Sequence, residues 1–439
     1  MDSFLALEKM LLLLCADLAI IIGSARVFGW LFGKVGQPPV VGEILAGVIL
    51  GPSLLGRLYP GAMKALLTPQ TTPILSAIAQ IGLVLLMLLI GLEFPFERLR
   101  QAARASAFVA VAGIAVPFAA SYALAGYLFR ISPPASSELA FRLFFATAVS
   151  ITAIPVMGRI LMHTRLTRTR MGLTSITAAA IDDVLGWTLL GAVVSMVTHG
   201  RADLFSLALS FLGVAVLSMA FWALGRFGLA RLSFRRAESG GVPPGTLAAV
   251  LVVVFLSAMA TNALGVFSIF GGFLCGIAGS FNRDLAEGIR TSIGDLVAVL
   301  FLPIFFVFSG LRTDVGSLGS DPRLWAALGL VILVACASKF GATALAARAS
   351  GLPWKESLSI GLLMNTRALM ALVVINIGAD MGVVSPAAFF WLVTMALFTT
   401  VITTPILRRA YPSPEAAGAW ADDPPEPRNV ARAKGLSLS

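Results

Sequence analysis

Ala178-Ala179-Ala180-Ile181-Asp182-Asp183-Val184-Leu185-Gly186-Trp187 sets two adjacent carboxylates inside an apolar run that extends from about Met171 to Val197. A bilayer-spanning helix needs roughly 20 apolar residues, and this run is long enough. Each aspartate near the centre of such a helix costs ~2.5–3.5 kcal/mol on insertion scales. Two aspartates neutralised by buried lysine or arginine could serve packing alone. An ion or proton pathway explains the pair better, because intramembrane carboxylates mark such pathways.

The rest of the chain has the composition this reading requires. Of 439 residues 58% are hydrophobic and 12% charged, with a mean hydropathy of +0.92, too apolar for a soluble protein of this size. Cys15, Cys275 and Cys336, and His163 and His199, lie far apart, so neither a disulfide framework nor a metal-ligand cluster is indicated. No cofactor is implied. No nucleophile–base constellation is visible either, and the reading is not that of an enzyme. The first apolar run is long and lacks a small-residue cleavage site, which predicts a retained span.

Working outward, apolar runs fall near residues 10–32, 38–56, 73–92, 105–129, 139–161, 171–197, 204–229, 246–262, 264–281, 290–311, 324–347, 356–379 and 386–407. They predict an all-α polytopic membrane protein of about thirteen transmembrane helices. The second and ninth runs are short and glycine-rich, and the eighth and ninth are parted only by a turn around Thr261-Asn262. The membrane domain covers residues 1–408, and the Pro-rich, charged segment 409–439 reads as a short disordered tail. With the N-terminus outside, 21 of the 32 basic residues fall on the inner side with the C-terminus and only 8 on the outer side. The net charge of +10 is thus the positive-inside signature of a cell (inner) membrane protein and not a nucleic-acid footprint.

The two halves of the chain echo each other. Gly42-Glu43-Ile44-Leu45-Ala46-Gly47 in run 2 aligns with Gly271-Gly272-Phe273-Leu274-Cys275-Gly276 in run 9, and Gly91-Leu92-Glu93 in run 3 with Gly310-Leu311-Arg312 in run 10. Seven runs separate the partners, so the repeats have opposite topology, the plan of secondary transporters. The same offset pairs run 5 with run 12, and both carry breaks. Pro155 interrupts Val149-Ser150-Ile151-Thr152-Ala153-Ile154-Pro155-Val156 by removing a backbone donor. Met364-Asn365-Thr366-Arg367-Ala368 is a polar cluster within an apolar run. Unwound backbone at membrane depth is tolerated where it is buried or lines a cavity, and there it offers carbonyls and hydroxyls to a cation.

At this point a resemblance enters. Ser150-Ile151-Thr152-Ala153-Ile154-Pro155-Val156 with Gly158-Arg159-Ile160-Leu161, then Ile181-Asp182-Asp183, resembles the monovalent cation/proton antiporter superfamily. The nearer branch holds bacterial sodium or potassium/proton exchangers and plant cation/proton exchangers. Gly42–Gly47 with Gly51-Pro52-Ser53, Leu302-Pro303-Ile304-Phe305-Phe306 with Gly310-Leu311, and Met364-Asn365-Thr366-Arg367 with Asn376-Ile377-Gly378 resemble the same branch. The resemblance implies a homodimer with a dimerisation part (runs 1–3 and 8–10) and a moving core (runs 4–6 and 11–13). In that core, discontinuous runs 5 and 12 cross. It implies a secondary antiporter in which sodium or potassium and protons compete at Asp182 and Asp183, with Asp183 the essential carrier. A channel-like conductor or a membrane sensor on the same scaffold is the alternative; a sensor would usually carry a soluble output domain, and a channel needs no paired aspartates and no inverted breaks.

The chemistry suits the residues. A hard monovalent cation takes oxygen ligands, and a carboxylate withdrawn from water can hold a proton in its place. Thr152 is the favoured ligand from run 5 and Ser150 the weaker one. Lys339, near the middle of run 11, has no acidic residue within a turn, and the resemblance pairs it with Asp182. Arg367 stays protonated and is expected to neutralise the carbonyl dipoles of the half-helix ends. Members with Asn at the first Asp and Arg at this Lys tend to be electroneutral; this chain keeps Asp and Lys. It departs from the family pattern at Ala368, usually Gly, and at Ala371, often Glu. Glu43 reads as structural, Asp17 and Arg26 as capping or interface groups, and Asp295 as lying near the inner water interface.

Overall fold

The structure, a computed structural model, describes residues 2–61, 68, 70–93, 96–152, 154–164, 166, 169–199, 204–231, 240–264 and 267–410. The expected tail and Lys64, Arg165, Arg168, Arg201, Arg235 and Arg236 lie outside these residues. Among the described residues the chain is all helical, without strands. The elements are α1 (Asp2–Lys34), α2 (Pro39–Leu50), α3 (Leu55–Leu58), α4 (Thr72–Leu92), α5 (Phe96–Ile131), α6 (Glu138–Ser150), α7 (Ile154–His163), α8 (Arg170–His199) and α9 (Leu204–Ala223). They continue with α10 (Pro244–Ala263), α11 (Ser268–Ser280), α12 (Arg283–Leu296), α13 (Leu302–Leu311), α14 (Pro322–Ala349), α15 (Trp354–Met364), α16 (Leu369–Asp380) and α17 (Pro386–Ala410).

Every apolar run carries helix, but the count of thirteen spans is not reached by length and apolarity. Ten segments among the described residues are long and apolar enough to cross a membrane. Run 9 falls short because it holds only the 13 residues of α11, while runs 5 and 7 are described only in part. At 1.5 Å per residue such a helix is about 20 Å long, less than the ~30 Å hydrocarbon core. Run 7 ends in a π-helical turn at Leu224–Gly228. The turn expected at Thr261-Asn262 lies later, because α10 continues to Ala263. Run 10 is also irregular, with a π-helical turn over Val297–Phe301 between α12 and α13.

The helix ends follow local chemistry. Ser137 accepts from the Ala140 amide at 3.3 Å to start α6, Asn282 from Leu285 at 3.0 Å to start α12, and Asp321 from Arg323 at 2.9 Å to start α14. One group of helices packs α1 and α13 on α2, and α11 on α4 and α10; another packs α5 against α6, α8 and α14, and α14 against α15.

Two helix crossings explain the glycine repeats. A Cβ on Gly47 would lie 2.1 Å from the Val307 carbonyl oxygen and 2.8 Å from the Gly310 Cα. A Cβ on Gly276 would lie 2.2 Å from the Leu88 carbonyl oxygen and 2.8 Å from the Gly91 Cα. So α2 and α13 touch backbone to backbone, as do α11 and α4, and only glycine allows that approach. Gly47 and Gly276 are equivalent in the two repeats, and so are Gly310 and Gly91. The repeats therefore interlock, each supplying one helix to each crossing.

Candidate cation and proton site

The site is built where two interrupted helices meet. α6 stops at Ser150, with Ile151 extended (φ −84°, ψ 143°), and α7 restarts at Ile154. Pro155 then falls in the first turn of α7, where its missing N–H costs little. α15 stops at Met364 and α16 begins after Ala368, leaving Asn365, Thr366, Arg367 and Ala368 between them. The Thr152 hydroxyl donates to the Met364 carbonyl at 2.9 Å, tying one break to the other. Thr400 of α17 donates to the Arg367 carbonyl at 2.6 Å, satisfying an acceptor that the unwound backbone exposes.

Against these breaks lie α8 and α14. Asp182 and Asp183 are buried, and so are Ser150, Thr152, Lys339 and Arg367. Asp182 is held on every side: it accepts from the Thr152 amide at 2.7 Å and from Lys339 Nζ at 3.1 Å and 3.4 Å. Lys339 Nζ also donates to the Ser150 carbonyl. Gly113 on α5 leaves room for Thr343, one turn from Lys339, since a Cβ there would lie 2.7 Å from Thr343 Cγ2.

Asp183 is the opposite case. Both its carboxylate oxygens are buried without a hydrogen-bond partner, and Asn365 Oδ1 in the run 12 break is likewise without one. Buried polar groups are normally satisfied, so such atoms ask for an explanation. One carboxylate is met by an ammonium and an amide, and the adjacent one by no hydrogen-bond donor.

The six residues read from the sequence as site residues converge here, with some roles altered. The Ser150 hydroxyl turns back to the Thr147 carbonyl at 3.0 Å, and it is the Ser150 carbonyl that faces Lys339. Thr152 contributes an amide to Asp182 and a hydroxyl to Met364, so it clamps the breaks together. Arg367 reaches past the half-helix ends to the Ala335 carbonyl of α14 at 3.0 Å and the Met395 sulfur of α17 at 3.3 Å. Thr400 and Ala335 were missed, and no sequence signal marks a threonine or a carbonyl that waits 33 or 32 residues away. Asp17 is buried in α1 and accepts from Thr71 at 2.7 Å. Glu43 is buried in α2.

Discontinuous helices meeting at a buried carboxylate pair define the class: a multi-pass membrane transporter. The chain belongs to the sodium/hydrogen exchanger transmembrane family, whose model matches residues 22–409. It is 38% identical to the Na(+)/H(+) antiporter NhaS4 of Synechocystis over 92% of this chain and 98% of that protein. It is 34% identical to cation/H(+) antiporter 19 of Arabidopsis thaliana over 94% of this chain, though it spans only 51% of that longer protein. Its fold is that of the sodium proton antiporter MjNhaP1 from Methanocaldococcus jannaschii, with a TM-score of 0.62 at 16% identity, covering 94% of this chain and all of the other.

Proposed function

We propose that this chain is a secondary antiporter that exchanges a monovalent cation, sodium or potassium, for protons by alternating access. The observation that carries the reading is the contrast within the aspartate pair. Asp182 is occupied by Lys339 and the Thr152 amide, while Asp183 has no partner. A group of that kind binds either a proton or a cation, and an empty buried carboxylate is too costly to carry across. Competition for Asp183 couples the two fluxes. Asn365, with its orphaned carbonyl oxygen, and the carbonyls of the breaks are the further oxygen donors a hard cation requires. Lys339 and Arg367 compensate charge. The chemistry is transport, with no bond made or broken in a substrate.

By the same reading α1, α2, α4 and α10–α13 form a dimerisation part that pairs two copies, and α5–α8 with α14–α17 form the moving core. The exposed apolar side chains along the outer helices, such as Leu12, Val216 and Leu256, face lipid. The membrane is the cell (inner) membrane, with the C-terminus cytoplasmic; the bias of basic residues supports that orientation. The test is proton movement in proteoliposomes on adding sodium, lithium or potassium. Exchange is expected for at least one of them, and Asp183→Asn abolishes it while the protein still folds. Exchange near the parental rate in that variant would remove Asp183 as carrier.

A further inference from the structure

We propose a binding site for the headgroup of an anionic phospholipid at the end of the helix group formed by α5, α8 and α14. A cavity of about 1050 Å³ opens there, lined by Arg104, Phe108 and Val111 of α5, Arg170 and Leu173 of α8, and Leu352 beyond α14. Its depth is set independently of its charge. Arg104, Arg170 and Ala349 line the cavity. Arg170 opens α8, Ala349 closes α14, and Arg104 is the last charged residue of α5 before its apolar stretch from Ala105. Three apolar stretches thus end together around one concavity, where hydrocarbon gives way to headgroups.

The charge in the cavity is uncompensated. Arg104 and Arg170 are both exposed, and neither meets a carboxylate among the described residues. No acidic residue is among those lining the cavity, and the first turn of α8 contains none. A helix N-terminus carries partial positive charge, so α8 adds to the two guanidiniums. In the last turn of α14, Arg348 adds a further positive charge, its guanidinium donating to the Leu352 carbonyl beyond the helix at 3.3 Å.

The walls distinguish a lipid from a small anion. Phe108 and Val111 lie three residues apart on one face of α5 and are 52% and 54% exposed. That face leads from the arginines toward the hydrocarbon. A phosphodiester between Arg104 and Arg170 would lay its acyl chains along Phe108 and Val111, whereas free phosphate would leave that apolar wall uncovered. Bidentate arginine suits a phosphate, and basic pockets between membrane helices take anionic headgroups. The site lies on α8, the helix that carries Asp182 and Asp183, so lipid bound there loads the helix that the proposed exchange moves.

The test is native mass spectrometry of the full chain in detergent, titrated with phosphatidylglycerol, with phosphatidylcholine of the same acyl chains, and with inorganic phosphate. Phosphatidylglycerol is expected to bind in preference to both. Each basic residue at an anionic surface is worth about fivefold in affinity, so Arg104→Gln with Arg170→Gln costs about 30-fold. The paired Arg→Lys variant keeps most of the binding. Arg104→Glu alone, at an exposed position, must also weaken binding, which covers a double variant that folds poorly. Equal binding of phosphatidylcholine, undiminished phosphatidylglycerol binding in both Arg104→Glu and the glutamine pair, or inorganic phosphate binding as tightly as phosphatidylglycerol would each overturn the proposal.

Discussion

Adjacent residues of one helix can have opposite electrostatic fates, and Asp182 and Asp183 do. Asp182 faces α14 and the run 5 break, where an ammonium and an amide meet it. Asp183 accepts from neither. Breaking a buried ion pair by removing one partner costs about 3–5 kcal/mol, because the other charge is left stranded. Lys339→Met is therefore expected to destabilise the folded protein by about that amount, seen as a lower unfolding temperature in detergent. Adding Asp182→Asn to Lys339→Met should recover most of the loss, since the stranded charge is gone. A double variant as unstable as the single would show that Lys339 stabilises by packing and not by pairing.

At the scale of the element, the interruptions and the glycine crossings do different work. The breaks in runs 5 and 12 expose backbone polar groups, and the structure answers them with Thr152, Thr400 and Lys339. The crossings bring helices so close that no side chain fits. In Gly310→Ala the new Cβ would meet the Ile44 carbonyl oxygen at 2.2 Å, a backbone atom that cannot rotate aside. Overpacking of this kind costs about 1–3 kcal/mol or more. Gly276→Ala, the equivalent position in the other crossing, should show a loss of similar size, and Gly329→Ala, which has open space, should show none. Thermal unfolding of the three variants checks this ordering.

For the whole molecule the predictions concern the membrane. A reporter enzyme active only in the cytoplasm, fused after Arg432, is expected to be active; a well-expressed but inactive fusion would reverse the orientation. Exchange is expected to be electrogenic, with two protons moving per cation, because Lys339 can leave Asp182 and release a second proton when the cation binds. One elementary charge moved across the membrane is worth ~2.3 kcal/mol per 100 mV, enough to shift the transport equilibrium visibly. Reconstituted exchange under an imposed potential measures it. A rate and equilibrium indifferent to voltage would contradict the stoichiometry, and voltage dependence that persists in Lys339→Gln would place the second proton elsewhere.

By itself the sequence determined that this is a helical membrane protein, where its apolar runs lie, and that runs 5 and 12 are interrupted around a carboxylate pair. Hydrocarbon length, the cost of buried charge and the missing proline donor are local facts, legible residue by residue. The resemblance to cation/proton antiporters singled out Asp182, Asp183, Lys339 and Arg367 as well, because each is costly to bury and so stands out against an apolar background. Only the tertiary structure decided what those residues touch. Lys339 lies 157 residues from Asp182, and which of its oxygens meets the ammonium depends on how α8 and α14 pack. The same holds for Arg367, which lies beside Ala335 and Met395, and for the glycine motifs, whose repeat was visible but whose crossings were not. Hydrogen bonds across a bundle are set by distances of a few ångströms between elements far apart in the chain, and periodicity within one element carries no information about them.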